Sequence, residues 1–446
     1  MNIKIIEPSS YGMDGKLIRN PRMWITGLTA IHLAALTPDS HNVSVCNEII
    51  DRIDFDEDVD VAALSAMGPQ IFRAIEIAGE FRKRGVKVII GGYQASFSQD
   101  FVDPHVDSII VGEAETVWAK ALDDVQAGSL KRRYYGSLAP LEALPAPRYD
   151  LLDRKRNSPL YPVEATRGCA NSCNYCSVAQ RYRTSYRTHP VPDVIRNIEI
   201  IKSFGIRNLF FVDNNLTGDV EYAKSLFKAM RPLKMRWTSQ VTVDMAEDPE
   251  LLDLARSSGC ISVSIGFESI NQESLKSVGK GFNRVDAYRR IIREIRRRGI
   301  HVNALIMFGF DEDKEDIFIN TADFFHAAGV SLLDCFIVLP TPGTPLFDRL
   351  KRDGRILTED YREYDVTNVV FQPAMMSQEA LKDGLWAALR RFYGYPKIVN
   401  RLARNLSVNL VSWGSAAALN ILYRRMVYGN NHKHPNIWHA PYVEKD

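Results

Sequence analysis

The sequence predicts an α/β protein with an open parallel sheet first, a barrel-like series of strand–helix units second, and a helical C-terminal region. Two alternating series of strand and helix patterns predict the two sheets, and the absence of such a series after Pro345 predicts the helical region. A proline-marked stretch at 140–147 separates the two series and is typical of a linker. The expected units are therefore residues 1–138, a linker at 139–160, residues 161–350 and residues 351–446.

The overall composition is that of a folded, water-soluble chain. Of 446 residues, 46% are hydrophobic and 25% are charged, which excludes an intrinsically disordered protein; six cysteines are too few for a disulfide framework. The 56 lysine and arginine residues nearly cancel the 54 aspartate and glutamate residues, so we expect no nucleic-acid partner. The sequence has neither a signal-peptide pattern nor a run of eighteen apolar residues. We expect a cytoplasmic protein without a transmembrane segment.

The first unit alternates five short apolar runs with helical periodicity. The runs are Ile3–Ile6, Val43–Cys46, Val61–Leu64, Val86–Ile90 and Ser108–Val111. In an open parallel sheet, ligands bind beyond the carboxyl ends of the strands. The turns after the last three runs are therefore candidate ligand loops: Ser65, Ala66 and Met67; Gly91, Gly92 and Tyr93; Gly112 and Glu113. Tight turns that bind nothing explain the glycines equally well.

The second unit contains six strand-like runs, of which the first is Val163–Thr166 and the last is Leu332–Leu339, with helical patterns between them. Six units are fewer than the eight of a closed barrel, so we expect a partial (β/α)6 barrel that is open along one side. In such barrels, active sites form at the carboxyl ends of the strands. The candidate residues at those ends are Asp213, Gln240, Glu268 and Gly309. Taken singly, Asp213 is explained equally well as a helix N-cap, and Glu268 with Ser269 as the start of a capping turn.

Three cysteines lie within eight positions, directly after the first of these runs. Cys169, Cys173 and Cys176 have the spacing Cys-x3-Cys-x2-Cys, which places three thiolates in one loop. Three thiolates can hold three irons of a four-iron cluster and leave the fourth iron open. A structural zinc ion needs four ligands, and the nearest further candidate, His189, lies thirteen positions on. Three incidental buried cysteines are the other alternative, which the spacing and placement disfavour.

This loop resembles the hallmark of the radical S-adenosylmethionine (SAM) superfamily, Cys-x3-Cys-x-aromatic-Cys, with Tyr175 as the aromatic residue. The resemblance implies a 4Fe-4S cluster on the three cysteines, whose open iron chelates SAM so that one electron yields a 5′-deoxyadenosyl radical. It also implies that Tyr175, Asp213, Gln240, Glu268 and Gly309 line the SAM site. Radical chemistry of this kind depends on a cofactor in an enclosed site, because no side chain supplies such reactivity.

The first unit resembles the Rossmann-like cobalamin-binding domain that one radical SAM subgroup carries. The matching segments are 27–36, 64–67, 90–93 and 111–115. Cobalamin proteins that replace the lower axial base use a histidine in the loop after the first strand, and the corresponding loop here, Glu7–Gly15, has none. The resemblance therefore implies cobalamin without a histidine ligand, bound by the three turns named above. His32 lies in an apolar helical pattern and is expected to pack in the core.

Together the two resemblances imply a cobalamin-dependent radical SAM enzyme, with methyl transfer to an unactivated carbon as the leading function. One alternative is radical chemistry without methyl transfer, such as cyclisation, carbon–carbon bond formation, oxidation or rearrangement. Another is a non-catalytic iron–sulfur or cobalamin-binding regulator. Methylthiotransferases carry three cysteines before the barrel, where only Cys46 lies here. No residue is assigned as a general acid or base.

The C-terminal unit bears on the substrate and the location of the protein. Its aromatic and apolar residues favour an apolar small-molecule substrate such as a lipid, an isoprenoid or a tetrapyrrole-like compound, although core packing explains the same residues. The cluster implies an external electron donor such as flavodoxin or ferredoxin. The uncharged stretch 406–423 predicts a buried or interfacial helix, which is compatible with peripheral contact at a membrane surface.

Overall fold

The computed structural model describes residues 1–12, 15–23, 25–405 and 410–429. Within these residues the chain forms two six-stranded parallel sheets, a two-stranded hairpin and sixteen α-helices. The predicted architecture, an open parallel sheet followed by a partial barrel and a helical C-terminal region, is confirmed. None of the helices in the described ranges combines the length and the apolar character needed to cross a bilayer.

The first sheet occupies the N-terminal part of the chain. Its strands are β1 (Asn2–Glu7), β2 (Asn42–Asn47), β3 (Val61–Ser65), β4 (Lys87–Gly91), β5 (Ser108–Gly112) and β6 (Arg133–Gly136), and their order is β2-β1-β3-β4-β5-β6. The helices are α1 (Thr29–Leu36), α2 (Gln70–Lys83), α3 (Tyr93–Phe97), α4 (Gln99–Val102) and α5 (Trp118–Gln126). Neighbouring residues of β1, Ile5 and Ile6, are fully buried in different clusters because helices cover both faces of the sheet.

The chain enters the partial barrel through β7 (Leu160–Val163) and then leaves it to form a hairpin. The hairpin pairs β8 (Thr166–Gly168) with β9 (Tyr186–Thr188), and α6 (Ser177–Arg181) lies between them. The sequence predicts one strand over Val163–Thr166, and this boundary is wrong. The run is divided because the amides of Ala165 and Thr166 donate to the carboxylate of Asp213 instead of continuing the parallel ladder.

The remaining barrel strands alternate with helices. The strands are β10 (Asn208–Phe211), β11 (Arg236–Val241), β12 (Cys260–Glu268), β13 (His301–Phe308) and β14 (Leu332–Ile337), in the order β14-β13-β12-β11-β10-β7. The helices are α7 (Val191–Ser203), α8 (Val220–Met230), α9 (Pro249–Ser257), α10 (Gln272–Ser277), α11 (Tyr288–Arg297) and α12 (Ile317–Ala328). β7 and β14 form the two edges of the sheet, so the barrel is open along one side, as predicted.

Four helices follow the barrel: α13 (Pro345–Arg352), α14 (Gln378–Phe392), α15 (Tyr395–Asn405) and α16 (Leu410–Tyr428). Tyr393, at the end of α14, covers the β14 edge, because its hydroxyl accepts from the Leu333 amide and donates to the Leu333 carbonyl, both at 3.1 Å. Its ring stacks on that of Tyr423 from α16, with the centroids 5.0 Å apart. An edge strand that would otherwise present unpaired backbone groups is thereby closed by the C-terminal helices.

The buried carboxyl of Asp334 on β14 makes a pH-dependent contribution to stability. Asn303 Nδ2 donates to it at 2.8 Å, the Tyr423 hydroxyl donates to its other oxygen, and burial raises the pKa of Asp334 to about 6. This pKa lies above the ordinary value of 3.8. The protonated carboxyl therefore makes its full contribution to stability below pH 3.8, and this contribution is lost as the pH rises through 6.

Asp334→Asn keeps a neutral side chain at every pH. We expect the free energy of unfolding of the variant, relative to wild type, to increase by up to about 3 kcal/mol between pH 4 and pH 7 and then to level off. Urea unfolding across this pH range measures the difference, with the exposed Asp353→Asn as the control. A difference that does not change with pH would contradict the raised pKa.

Candidate cluster and cofactor site

The three clustered cysteines lie in the loop between β8 and α6. All six cysteines of the chain are free; Cys173 is buried, and Cys169 and Cys176 are half-buried. Backbone hydrogen bonds hold the loop in place. The Cys176 amide donates to the Cys173 carbonyl at 3.1 Å, and the Asn174 amide donates to the Val278 carbonyl beyond α10, also at 3.1 Å. The thiols are therefore presented from a loop that is fixed against the barrel.

The three thiols lie near one another, because Cys169 and Cys176 both act on the pKa of Cys173. A four-iron cluster would bond each of three such thiolates to a different iron. Burial raises the pKa of Cys173 to about 11, and the nearby Lys280 ammonium opposes that rise. Iron would displace the thiol protons, and these residues fit the cluster that the sequence predicts.

Glu268 ends β12 in a strained conformation beside this loop. Its φ of +66° lies in the left-handed region, which costs a non-glycine residue about 1–3 kcal/mol, and the pairing of β12 with β13 is irregular between Gly266 and Glu268. Glu268 Oε1 accepts from Lys280 Nζ at 2.7 Å in a largely buried ion pair. Gly266 leaves room for the pair, since a Cβ there would lie 2.4 Å from Glu268 Oε1. Retained strain of this kind is concentrated at functional sites.

Tyr175 connects the cluster loop to this ion pair. Burial, reinforced by the adjacent Glu268 carboxylate, raises the pKa of Tyr175 well above its ordinary value. The Tyr175 ring meets that of Phe310 edge-on, with the centroids 6.2 Å apart. Gly309, just before Phe310, has a φ of +104°, and a Cβ on it would lie 2.9 Å from Leu381 of α14. Tyr175 and Glu268 are thus brought together, whereas Gly309 is needed where the chain turns against α14.

The side chain of Asp213, just after β10, is buried and hydrogen-bonded, whereas the side chain of Gln240, near the end of β11, is exposed. The buried Asp213 carboxylate accepts from the Ala165 amide at 3.2 Å, and burial raises the pKa of Asp213 to about 7. Its contacts hold the start of the hairpin that carries the cluster loop. β11 is an interior strand, and its residues Ser239 and Val241 are buried on one face of the sheet. Gln240 lies between them, points to the opposite face and is exposed. Gln240 therefore faces the interior of the open barrel, where a ligand can reach it.

The three predicted turns of the first sheet lie side by side, because β3, β4 and β5 are neighbours. Ser65 ends β3 opposite Gly91 of β4. Gly92 has a φ of +99°, and a Cβ on it would lie 2.7 Å from the Ala66 carbonyl oxygen. The backbone thus requires glycine there whether or not a ligand binds. Met67 remains 68% exposed, so a ligand can reach this edge of the sheet.

Tyr93 reaches from this edge to the cluster loop. It begins α3, its hydroxyl lies beside Ser177 and Cys176, and burial raises its pKa well above the ordinary tyrosine value. Helix α3 also packs on the turn after β14, where a Cβ on Gly343 would lie 2.3 Å from the ring of Phe97. The carboxyl edge of the first sheet therefore faces the mouth of the barrel.

A buried network of charges joins the same edge to the hairpin, and we call it the interdomain network. Its members are Glu113, Glu115, Glu164, Arg167 and Arg187. Arg187 of β9 donates two hydrogen bonds to the Glu113 carboxylate, one of them at 3.0 Å, and the Ala139 amide donates a third at 2.6 Å. The Glu113 side chain is thus occupied within the protein rather than free for a cofactor.

Arg167, two residues before Cys169, is at the centre of this network. It donates to Glu115 at 2.6 Å and to Glu164 at 2.7 Å. Burial opposes ionisation of Glu115, but His32 and Arg167 outweigh it and lower the pKa of Glu115 to about 2. His32 Nε2 lies 3.2 Å from Glu115 Oε1, so the half-buried His32 contacts this charge network. The prediction that His32 packs in the apolar core is therefore wrong.

The comparison with protein families agrees with this site. Residues 163–325 match the family described as the radical SAM superfamily, a range that contains the cluster loop, Glu268 and Lys280. The chain therefore contains a radical SAM domain over residues 163–325. Residues 344–417 also match a domain of unknown function, DUF4070.

Two relatives match most of the chain. The chain is 29% identical over 351 residues to bacteriochlorophyllide d C-12(1)-methyltransferase of Chlorobaculum tepidum. This alignment covers 77% of the chain and 76% of the relative. It is 24% identical over 435 residues to the anaerobic magnesium-protoporphyrin IX monomethyl ester cyclase of Cereibacter sphaeroides. This alignment covers 88% of the chain and 70% of the relative.

A solved structure shares the fold. It is the radical SAM methyltransferase TsrM from Kitasatospora setae with cobalamin and a 4Fe-4S cluster bound, and the TM-score is 0.70 at 16% identity. The match covers 87% of this chain and 90% of TsrM. The chain therefore shares the overall fold of TsrM.

Sequence reasoning missed Lys280 and the role of Arg187. Lys280 lies between Gly279 and Gly281, twelve positions after Glu268, and a single lysine in a loop has no periodicity that would reveal a buried partner. Arg187 belongs to an arginine-rich stretch that looks like a solvated loop. The pairing of β8 with β9 turns Arg187 toward Glu113, which lies 74 positions earlier in the chain.

Proposed function

We propose that the protein is a cobalamin-dependent radical SAM methyltransferase that acts on an unactivated carbon of an apolar small molecule. The observation that carries the proposal is the juxtaposition of two sites in one fold. The cluster loop with the Glu268–Lys280 pair lies at the mouth of the barrel, and Tyr93 brings the edge of the first sheet to the same place. The similarity to bacteriochlorophyllide d C-12(1)-methyltransferase supports methyl transfer as the reaction.

The residues of the barrel have complementary roles in this proposal. Cys169, Cys173 and Cys176 would hold a 4Fe-4S cluster with one iron open. When bound, the cluster and SAM supply a 5′-deoxyadenosyl radical, and cobalamin supplies a carrier for the methyl group. Glu268 and Lys280 neutralise each other in the free protein. Each is complementary to a charged group of the methionyl part of SAM, the ammonium and the carboxylate respectively.

The remaining predicted residues frame the two cofactors. Tyr175 and Gly309 would border SAM, and Gln240 would reach a ligand from the barrel interior. Asp213 would act indirectly, by fixing the hairpin that carries the cluster loop. The turns Ser65–Met67, Gly91–Tyr93 and Gly112–Glu113 would support cobalamin through their backbone, without a histidine ligand. His32 is held by Glu115, so it does not take the place of that ligand.

The substrate, the compartment and the electron donor complete the proposed function. A tetrapyrrole-like substrate is favoured among apolar compounds, because two relatives are named for bacteriochlorophyllide and magnesium-protoporphyrin chemistry. Six free cysteines suit the reducing cytoplasm. There a donor such as flavodoxin or ferredoxin would deliver the electron, and peripheral contact with a membrane would bring the enzyme close to an apolar substrate.

Cofactor loading followed by product analysis tests the proposal. After anaerobic reconstitution with iron, sulfide and hydroxocobalamin, we expect about one cobalt per chain to survive desalting. With SAM, reductant and a bacteriochlorophyllide-type acceptor, methyl transfer yields 5′-deoxyadenosine and S-adenosylhomocysteine in equal amounts. One SAM gives the radical and another gives the methyl group, which accounts for the equality.

The same assay separates the alternatives. 5′-Deoxyadenosine without S-adenosylhomocysteine would identify radical chemistry without methyl transfer, which the similarity to the cyclase of Cereibacter sphaeroides makes the second candidate. Cobalt binding without either product would identify a regulator. Either result would overturn the methyltransferase proposal.

A further inference from the structure

The C-terminal helices carry a charge imbalance that the net charge of the chain conceals. From residue 384 to residue 429, the sequence has seven lysine or arginine residues and no aspartate or glutamate. The rest of the chain holds 49 basic and 54 acidic residues, so the formal charge of +2 arises entirely from this segment. A region that is basic within an otherwise acidic protein points to an anionic partner.

The same helices expose apolar side chains on one continuous surface. Helices α15 and α16 run antiparallel: Trp413 Nε1 donates to the Leu402 carbonyl at one end, and at the other the Arg424 guanidinium lies 3.5 Å from the Tyr395 ring centroid and 4.0 Å from that of Tyr428. We call the outward residues the apolar stripe. They are Tyr395 (64% exposed), Val399 (64%), Ile421 (49%) and Tyr428 (46%).

The opposite faces of these helices are anchored to the protein. Arg401 of α15 is buried and donates to the Phe392 carbonyl at 2.7 Å and to Asn420 Oδ1 of α16 at 2.6 Å. Tyr423 of α16 is fully buried against Tyr393. Because the inner faces are fixed by these contacts, the apolar stripe is held facing outward.

We propose that the apolar stripe and the cations around it dock the protein on an anionic phospholipid surface. The inference deepens the proposed function, because it names the surface from which an apolar substrate would be taken. Tyrosine and arginine suit the interface of a bilayer, where the apolar part of each side chain is buried and its polar end stays in water. The exposed cations next to the stripe are Arg391, Arg404 and Arg425, and the half-buried Lys397 lies beside them. Asp323 pairs with two of these cations and offsets only one positive charge.

Vesicle sedimentation of the full-length protein tests the proposal. We expect binding to vesicles of phosphatidylglycerol and phosphatidylcholine that exceeds binding to phosphatidylcholine alone and weakens as salt rises. Arg425→Gln is expected to weaken binding about fivefold. Val399→Glu combined with Ile421→Glu is expected to abolish it, because both substitutions bring anions to the lipid surface.

A matched double variant, Tyr135→Glu with Leu357→Glu, places the same charges at exposed apolar residues elsewhere and is expected to bind like wild type. An equal loss of vesicle binding in both double variants, or no preference of the wild-type protein for anionic vesicles, would overturn the proposal. A dimer that Val399→Glu with Ile421→Glu converts to monomers would assign the stripe to a second copy of the chain instead. Vesicle binding that appears only after removal of residues 430–446 would show that this segment covers the stripe, and preferential binding of polyuridylic acid would assign the cations to RNA.

The reaction is measured separately on the same samples. We expect SAM cleavage in detergent-free buffer to be unchanged in Val399→Glu with Ile421→Glu, since neither residue lies at the cofactor site. Vesicle binding in a protein that does not cleave SAM would overturn the proposed function and leave the membrane proposal standing, whereas SAM cleavage without vesicle binding would do the reverse.

Discussion

Cys173→Ala is expected to abolish iron–sulfur cluster assembly and, with it, all cleavage of SAM. Cys173 is the buried member of the cysteine loop and its thiol is the one most strongly withheld from water. Without it, two thiolates remain for a cluster that needs three, because each thiolate bonds a different iron. The measurements are iron and sulfide per chain and the visible absorbance of the cluster after anaerobic reconstitution. Survival of the full absorbance would refute the assignment of the loop.

The chain provides matched controls for this variant. Cys260 and Cys335 are also buried cysteines, on β12 and β14, but they lie outside the loop. Cys260→Ala or Cys335→Ala removes the same atom at the cost of a small cavity, roughly 1 kcal/mol of stability, and should leave the iron content unchanged. Loss of iron in these controls as well would point to misfolding rather than to a missing ligand.

The architecture of the protein could be predicted because its signals are local. Alternating apolar runs and helical periodicity predict both sheets, and the cysteine spacing predicts the cluster loop within a few residues. The strand β6 was missed because its four residues, Arg-Tyr-Tyr-Gly, are too few and too polar to form an apolar run. The boundary at Val163–Thr166 was wrong because a side chain from another strand, Asp213, binds the backbone there.

The side-chain partners at the site could not be predicted for a different reason. Glu113 was recognised as a residue at the end of a strand, and Lys280 was not recognised at all. Both are engaged by residues distant in sequence, Arg187 and Glu268. A one-dimensional pattern indicates which positions lie at a sheet edge, but it does not indicate which charges meet across two sheets.

Arg187→Ala is expected to destabilise the protein by about 3–5 kcal/mol, because it removes one partner of a buried pair and leaves the other charge without water. Glu113 would keep the Ala139 amide and Arg167, which is 3.4 Å away, but it would lose the two-bond contact with the guanidinium. Arg187→Lys keeps the positive charge but cannot donate two parallel hydrogen bonds to one carboxylate. Its free energy of unfolding should fall between those of wild type and Arg187→Ala.

Denaturant unfolding of the apo-protein measures the effect, and an exposed ion pair serves as the control. Arg290 pairs with Glu247 at 2.6 Å on the surface, and Arg290→Ala should cost far less stability than Arg187→Ala, because water screens an exposed pair. Adding Glu113→Gln to Arg187→Ala should restore part of the stability, since it removes a buried carboxylate that keeps only one amide donor and a more distant arginine. A loss for Arg187→Ala no larger than that for Arg290→Ala would mean that the interdomain network does not hold the two sheets together.

The effect should extend from stability to iron retention. Arg187 lies on β9, which pairs with β8, and β8 leads directly into Cys169. The interdomain network therefore fixes the hairpin from the side of the first sheet, while Asp213 fixes it from the side of the barrel. Arg187→Ala should reconstitute with iron but lose it on desalting faster than wild type. Glu113→Gln combined with Arg187→Ala should slow that loss, because it replaces a buried carboxylate that has lost its nearer cation with a neutral amide.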